Sequence, residues 1–580
     1  MTKQRIAHRS VAAMFGALAV ALLIGSCSEV SPQGAITVGP SGQTAQAVPA
    51  APPPPGRVPA IAQGIACPAG RRSAGWLAAE NARPGTRFTV PAGTGPSRTM
   101  DPTDTTEKGG DGRVLGYPDR WSARCGEIVT VQLAGPAGSV RLVAYRTGWY
   151  HGDGARRIWT SSAVRTALRT APSGAAPPHL VQPSWPMSVT VPVDGSWVPG
   201  FYLLVPIGAA GPAGPAIPLV VRDDDGNAPI LFKASTITWN AYNTWGGWSL
   251  YHGPVGTPEH AADNRARVVA LHRPLIGAGY EQMQYMDLPV VRQLEQLGPD
   301  VAYTTDEDLD ARPGQLLRHA EIVSGGHSEY WTRRMYDGLL EAAGSGVNLV
   351  FLGANSLWWQ ARLESSAAAA VPDRIAVYRS VAEDPRAVHD PALATTLWGP
   401  PPLNRDPAAV LGESHAAIGV HGGLQAMDVP DWFTQGTGLT RGSVLPGAVG
   451  NEADGYNRRG GNPKGTQVLL AGVLNGVDGP TVVSADYVSL PSGAAVFAAG
   501  TTDWACIPSG QCSGGTPPAA TSAAIGGLTR NVLTALSQPA AGRARPALPT
   551  TPFTAAQLLP LLRPGAVGTY GGATAEHESD

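Results

Sequence analysis

No cysteine lies between Cys125 and Cys506, so thiol catalysis is excluded across the middle of the chain. The Cys-x-x-Cys spacing of a thiolate zinc site is also absent. Charge is scarce: Asp, Glu, Lys and Arg make up 15% of the residues, and the formal net charge is −2. With no basic stripe to neutralise phosphates, nucleic acid is excluded as a partner. No internal repeat is evident. The apolar run near the N-terminus, Val11 to Gly25, is too short to span a bilayer comfortably.

Glycine (72) and proline (54) are abundant, which suits a loop-rich, β-containing protein and not a coiled coil. At 580 residues the chain exceeds what one hydrophobic core serves, so two or three domains are expected. Lys3, Arg5 and Arg9 precede the Val11–Gly25 run, as in a secretory signal. The run ends Leu23-Ile24-Gly25-Ser26-Cys27, which resembles a bacterial lipobox, with Cys27 as the lipidated residue; the alternative is an ordinary signal peptide cut near Ser26. The expected localisation is therefore the outer face of the cytoplasmic membrane, reached by export and held by a lipid at the end of segment 1–27. Residues 28–65, with four prolines from Pro52 to Pro55, read as a tether. Export leaves Cys67, Cys125, Cys506 and Cys512 to form disulfides. Cys506–Cys512 would close a short loop, and Cys67–Cys125 would then pair across the N-terminal domain.

Residues 66–225 carry short alternating runs, among them Glu127–Leu133, Val140–Tyr145, Met187–Val193, Phe201–Val205 and Ile217–Val221, the pattern of a β-sandwich. Trp149 lies here in the glycine-rich loop RTGWYHGDGARR, which could hold a ligand or simply pack. A polar break at Asp223–Gly226 marks the expected boundary. Strands and helices then alternate through 226–545, which predicts a doubly wound α/β domain with β-rich insertions toward its C-terminus, followed by a flexible tail at 546–580.

The centre of that domain is Ala320–Asn355, which reads as strand, tight turn, helix, strand. Its elbow is similar to those of glutamine amidotransferase-like folds, but the cysteine nucleophile is missing and the glycine spacing around Ser328 does not fit a serine elbow. What stands there is His327 and Glu329. A histidine and a carboxylate at a strand's carboxyl end suit a metal ligand with an acid–base partner; a structural histidine and a capping glutamate are the bland alternative.

The ordered segments GWYHGDGAR, GFYLLVP, TWNAYNTWGG, GGHSEYW, GANSLWWQARLE and GNEADGY resemble the large (beta) subunit family of N,N-dimethylformamidase over roughly residues 66–540. The resemblance implies a mononuclear ferric ion, Fe(III), held by Tyr202, Tyr242 and Glu329. It implies catalytic roles for His327 and Glu452, and a substrate pocket near Asn355, Trp358 and Arg362. Two phenolates and a carboxylate are hard oxygen donors of the kind ferric iron prefers. The implied reaction is hydrolysis of the C–N bond of a small, non-peptide amide by activated water. Tyr202 in one domain and Tyr242 with Glu329 in the other would let the ion pin the two together. The family enzyme is cytoplasmic and has a separate small subunit; the export signal argues against such a partner here. The rival expectation is a non-catalytic, ligand- or glycan-binding lipoprotein that uses its tryptophan-rich loops.

Overall fold

The computed structural model describes residues 65–68, 72–93, 112–174, 176–253, 264–456, 461–476, 479–512 and 515–570. The lipobox Cys27 and nearly all of the 28–65 tether lie outside the described residues. The protein is of mixed α/β type.

The alternating runs of the first part become strands. Leu115–Pro118, Ile128–Ala134 and Val189–Pro192 form a three-stranded antiparallel sheet. A seven-stranded sheet holds Gly138–Thr147, Gly200–Gly208 and Ile217–Arg222 at its centre. Val129, Val131, Leu142, Leu204 and Leu219 close an apolar cluster between the two sheets. The pleat sends successive side chains of Gly200–Gly208 to opposite faces. Tyr202 and Leu204 enter this cluster, whereas Phe201, Leu203 and Val205 belong to the larger core shared with the α/β layer.

That layer is a ten-stranded sheet. Val301–Thr305, Ile230–Ala234, Glu321–Ser324, Asn348–Phe351 and Ala495–Ala498 run parallel in that spatial order. They are fully buried and read as near-continuous apolar runs, as parallel strands covered on both faces do. Beyond Ala495–Ala498 the sheet continues through Gly479–Ser489, Thr466–Gly476, Val567–Tyr570, Glu413–Ala426 and Val444–Tyr456, antiparallel at every pairing but that of Thr466–Gly476 with Val567–Tyr570, which is parallel.

Three sequence expectations need correction. The β-rich C-terminal segments are not insertions; they extend the same sheet. The segment expected as a tail joins the sheet, with Val567–Tyr570 as one of its strands, and its last residues lie outside the described ones. The break at Asp223–Gly226, expected as a domain boundary, is a turn whose Asp224 reaches Arg312 at 2.7 Å, and the described residues on both sides of it fall in one compact unit. The cysteines pair as Cys67–Cys125 and Cys506–Cys512. Among the described residues no helix is long and apolar enough to cross a membrane.

Candidate active site

The site forms at the carboxyl ends of the parallel strands, where open α/β sheets bind ligands. Strand Ile230–Ala234 runs into helix Thr236–Tyr242, whose last residue is Tyr242. Asp287 fixes the start of that helix by accepting the Ser235 amide at 2.9 Å and the Trp239 indole N–H at 2.9 Å. Strand Glu321–Ser324 leads through Gly325 and Gly326 to His327 and Glu329. A Cβ on Gly325 would collide with the Asp287 carboxylate, so only glycine lets this turn close. The amide of Glu329 donates to Thr238 Oγ1 at 3.2 Å, which locks the turn against the Tyr242 helix.

The Tyr242 hydroxyl donates to Glu329 Oε2 at 2.9 Å. Tyr251 donates to the other oxygen, Glu329 Oε1, in a short hydrogen bond. Two phenols thus converge on one carboxylate that is 1% exposed. Behind them Tyr330 Oη lies 2.9 Å from Tyr251 Oη, and Arg379 Nη2 donates to Tyr330 Oη at 2.7 Å. Burial, then the nearby Glu329 charge, holds both phenols well above the usual tyrosine value, so here they stay protonated and donate. Burial also raises Glu329, opposed by His327.

His327 Nε2 lies 3.6 Å from Glu329 Oε2 and 3.4 Å from Glu452 Oε2. Its Nδ1 meets Gln282 Oε1 at 3.0 Å. Gln282 opens a stretch of π-helix, Gln282–Asp287, that leads into helix Leu288–Leu297; such bulges are frequent at functional sites. Burial opposes the imidazolium, but Glu452, with Glu329 and Asp454 further off, outweighs it and pushes His327 up to about 9. Glu452 moves the other way: burial would raise it, and the His327 charge brings it down. Both shifts favour the charged forms, an imidazolium beside an ionised carboxylate.

Glu452 comes from the distant edge strand Val444–Tyr456. The register shifts three times against Glu413–Ala426, and such bulges bend a strand and re-aim its side chains. Asn355, in the left-handed region at φ 49°, donates from Nδ2 to Glu452 Oε2 at 2.7 Å. Trp358 and Trp359 anchor the loop by donating their amides to the Glu329 carbonyl at 2.9 and 3.0 Å.

Two sequence-predicted residues are not part of this cluster. Tyr202 points into the sandwich cluster, stacks on Trp197 at 4.9 Å and donates to the Val198 carbonyl at 2.7 Å. The pleat directs it away from the α/β layer and from Tyr242 and Glu329. Arg362 is committed elsewhere: its guanidinium pairs with Asp384 at 2.6 and 2.9 Å and with Glu364 at 3.0 Å. Sequence reasoning missed Tyr251, Gln282, Tyr330 and Arg379. Tyr251 closes the aromatic stretch STITWNAYNTWGGWSLY, and its place nine positions after Tyr242 was the one available signal.

Could these residues hold a metal? Tyr242 and Tyr251 each set a phenol oxygen within hydrogen-bond reach of the Glu329 carboxylate, with His327 Nε2 and Glu452 Oε1 both buried and lacking a hydrogen-bond partner beside them. The donor chemistry fits a hard cation such as ferric iron. The group Asp503, Cys506 and Cys512 also brings potential ligand atoms together, but both of its cysteines are in a disulfide.

A buried acid–base cluster thus sits at the strand ends of a mixed α/β sheet. The chain belongs to the N,N-dimethylformamidase beta subunit-like family, whose C-terminal model matches residues 141–511. This family match supports a protein of hydrolase-like kind. No curated protein matches the chain.

Proposed function

We propose that the protein is an iron-dependent hydrolase of the C–N bond of a small amide, with a mononuclear ferric ion held by Tyr242, Tyr251 and Glu329. The observation that carries this reading is the convergence of two phenols on the two oxygens of one buried carboxylate, next to a His–Glu pair. The ion, when bound, supplies Lewis acidity that polarises the amide carbonyl and acidifies water.

The chain's own residues do the rest. Glu452, held down in pKa by His327 and oriented by Asn355 Nδ2, is the general base that takes a proton from the attacking water. His327, kept in place by Gln282, carries positive charge toward the developing oxyanion and returns a proton to the departing amine nitrogen. Tyr330 and Arg379 hold the Tyr251 phenol in position. The near-complete burial of Glu329, His327 and Glu452 excludes bulk water. The two disulfides support action outside the cytoplasm, as the signal segment implies.

The test is amine release from N,N-dimethylformamide and related small amides by iron-loaded protein. Glu452→Gln should lower the rate by about 10²–10⁴-fold while iron content is retained. Amide turnover by Glu452→Gln at the unmodified rate would refute the assignment.

A further inference from the structure

A second cleft, of about 660 Å³, opens away from this cluster and shares none of its residues. One rim is the loop that carries Trp149. The opposite walls are helix Leu288–Leu297, the Pro508–Ser509 turn and helix Ala519–Leu536.

Both rims are fixed in advance. Tyr150 and His151 both have positive φ, a costly conformation that the surroundings must hold, and Gly152 and Gly154 continue the turn at positive φ. Asn81 Oδ1 accepts the amides of Trp149 and Tyr150 at 2.8 and 3.1 Å, and Asn81 Nδ2 donates to Glu295 Oε2 at 2.7 Å. Glu295 in turn forms a fully buried ion pair with Arg146 at 2.7 Å. The Cys506–Cys512 disulfide closes the loop that bears Pro508 and Ser509.

Held this way, Trp149 is still 38% exposed. Arg292 stands out more. Comparable arginines are matched: Arg146 has Glu295, Arg362 has Asp384, and Arg273 donates to four backbone carbonyls. Half-buried Arg292 has no carboxylate or carbonyl partner among the described residues, and its Nε is buried without an acceptor. Burial alone lowers its pKa, with no opposing charge to offset it. A desolvated guanidinium facing a cleft is electrostatically incomplete, and a planar anion completes it through two parallel hydrogen bonds. Arg530 lines the same cleft and adds a second positive charge, while Asp153, Gln296 and the unpartnered Ser522 hydroxyl add hydrogen-bonding groups.

We propose that this cleft is a binding site for an acidic saccharide, with a sugar ring stacked on Trp149 and its carboxylate taken by Arg292, assisted by Arg530. The planar guanidinium matches a planar carboxylate, and an exposed indole between polar groups suits a sugar, which has an apolar face and a hydroxylated edge. This site is independent of the amide chemistry.

The experiment is calorimetric titration of the full mature protein with trigalacturonate, with its fully methyl-esterified form, and with glucose 6-phosphate. Trigalacturonate should bind, and the ester should bind about tenfold more weakly or not at all. Trp149→Ala and Arg292→Gln should each weaken trigalacturonate by about tenfold or more, with melting temperature and amide turnover unchanged. Arg292→Lys, which keeps charge but loses the fork, should fall between. Equal binding of the ester, preference for the phosphate, no binding at millimolar trigalacturonate, or affinity indifferent to Trp149→Ala and Arg292→Gln would each overturn the proposal.

Discussion

The Arg379 guanidinium lies over the ring of Tyr251, 4.2 Å from its centroid, and also reaches that residue's hydroxyl through Tyr330. It also lies over the ring of Trp359, 4.6 Å from that centroid. One arginine therefore fixes both the plane and the hydroxyl direction of a phenol that donates to Glu329. Arg379 is a positioning residue, and removing it should disturb Tyr251 without touching Tyr242.

Arg379→Gln is expected to destabilise the protein by about 1–3 kcal/mol, the scale of a lost charge-assisted hydrogen bond and cation–π contact. In iron-loaded protein it should shift the tyrosinate absorption band; Arg379→Lys should restore part of the stability but not the band position. A band unmoved in Arg379→Gln would show that the stacking does not control Tyr251.

Asp287 links stability to pH. Burial, opposed by the Ser235 amide, Lys233 and Trp239 and reinforced by Asp306, raises it to about 7. Between its ordinary value and about 7 the folded state keeps a proton that the unfolded state has lost. This contribution is whole at low pH and drains away as pH rises through about 7. Glu307, raised to about 8 by burial and then Asp306, acts in the same direction. Melting temperature in Asp287→Asn should therefore decline less than in the unmodified protein between acid and neutral pH. The two curves staying parallel would contradict the assignment.

The two disulfides should differ in worth. Cys67–Cys125 spans 58 residues and Cys506–Cys512 spans six. Loop-closure entropy then assigns about 4 kcal/mol to the first and about 2 kcal/mol to the second. Thermal denaturation of the two paired Cys→Ala variants checks this, with the larger loss expected for Cys67 and Cys125.

Much of the site was legible where one short segment carries it. His327 and Glu329 follow a buried strand directly, and a parallel strand's carboxyl end is where function gathers. Tyr242 ends a helix that begins just after another such strand. Tyr202 failed because alternation says that side chains face opposite ways but not which way is toward the second layer; here Phe201 and Leu203 took that face. Tyr251 stayed hidden because its loop has no period, and packing against Tyr242 at 4.4 Å, not sequence, brings it to Glu329. The reach of the ten-stranded sheet was hidden for a similar reason. Its last members pair across long separations, so Val567–Tyr570 looked like a tail.

Iron content and visible absorption of Tyr251→Phe and Tyr202→Phe, read beside the unmodified protein, decide which phenols hold the ion. The unmodified protein and Tyr202→Phe should each hold one iron per chain with a tyrosinate band, and Tyr251→Phe should lose most of the iron and the band. Loss in Tyr202→Phe with retention in Tyr251→Phe would contradict the ligand set of Tyr242, Tyr251 and Glu329.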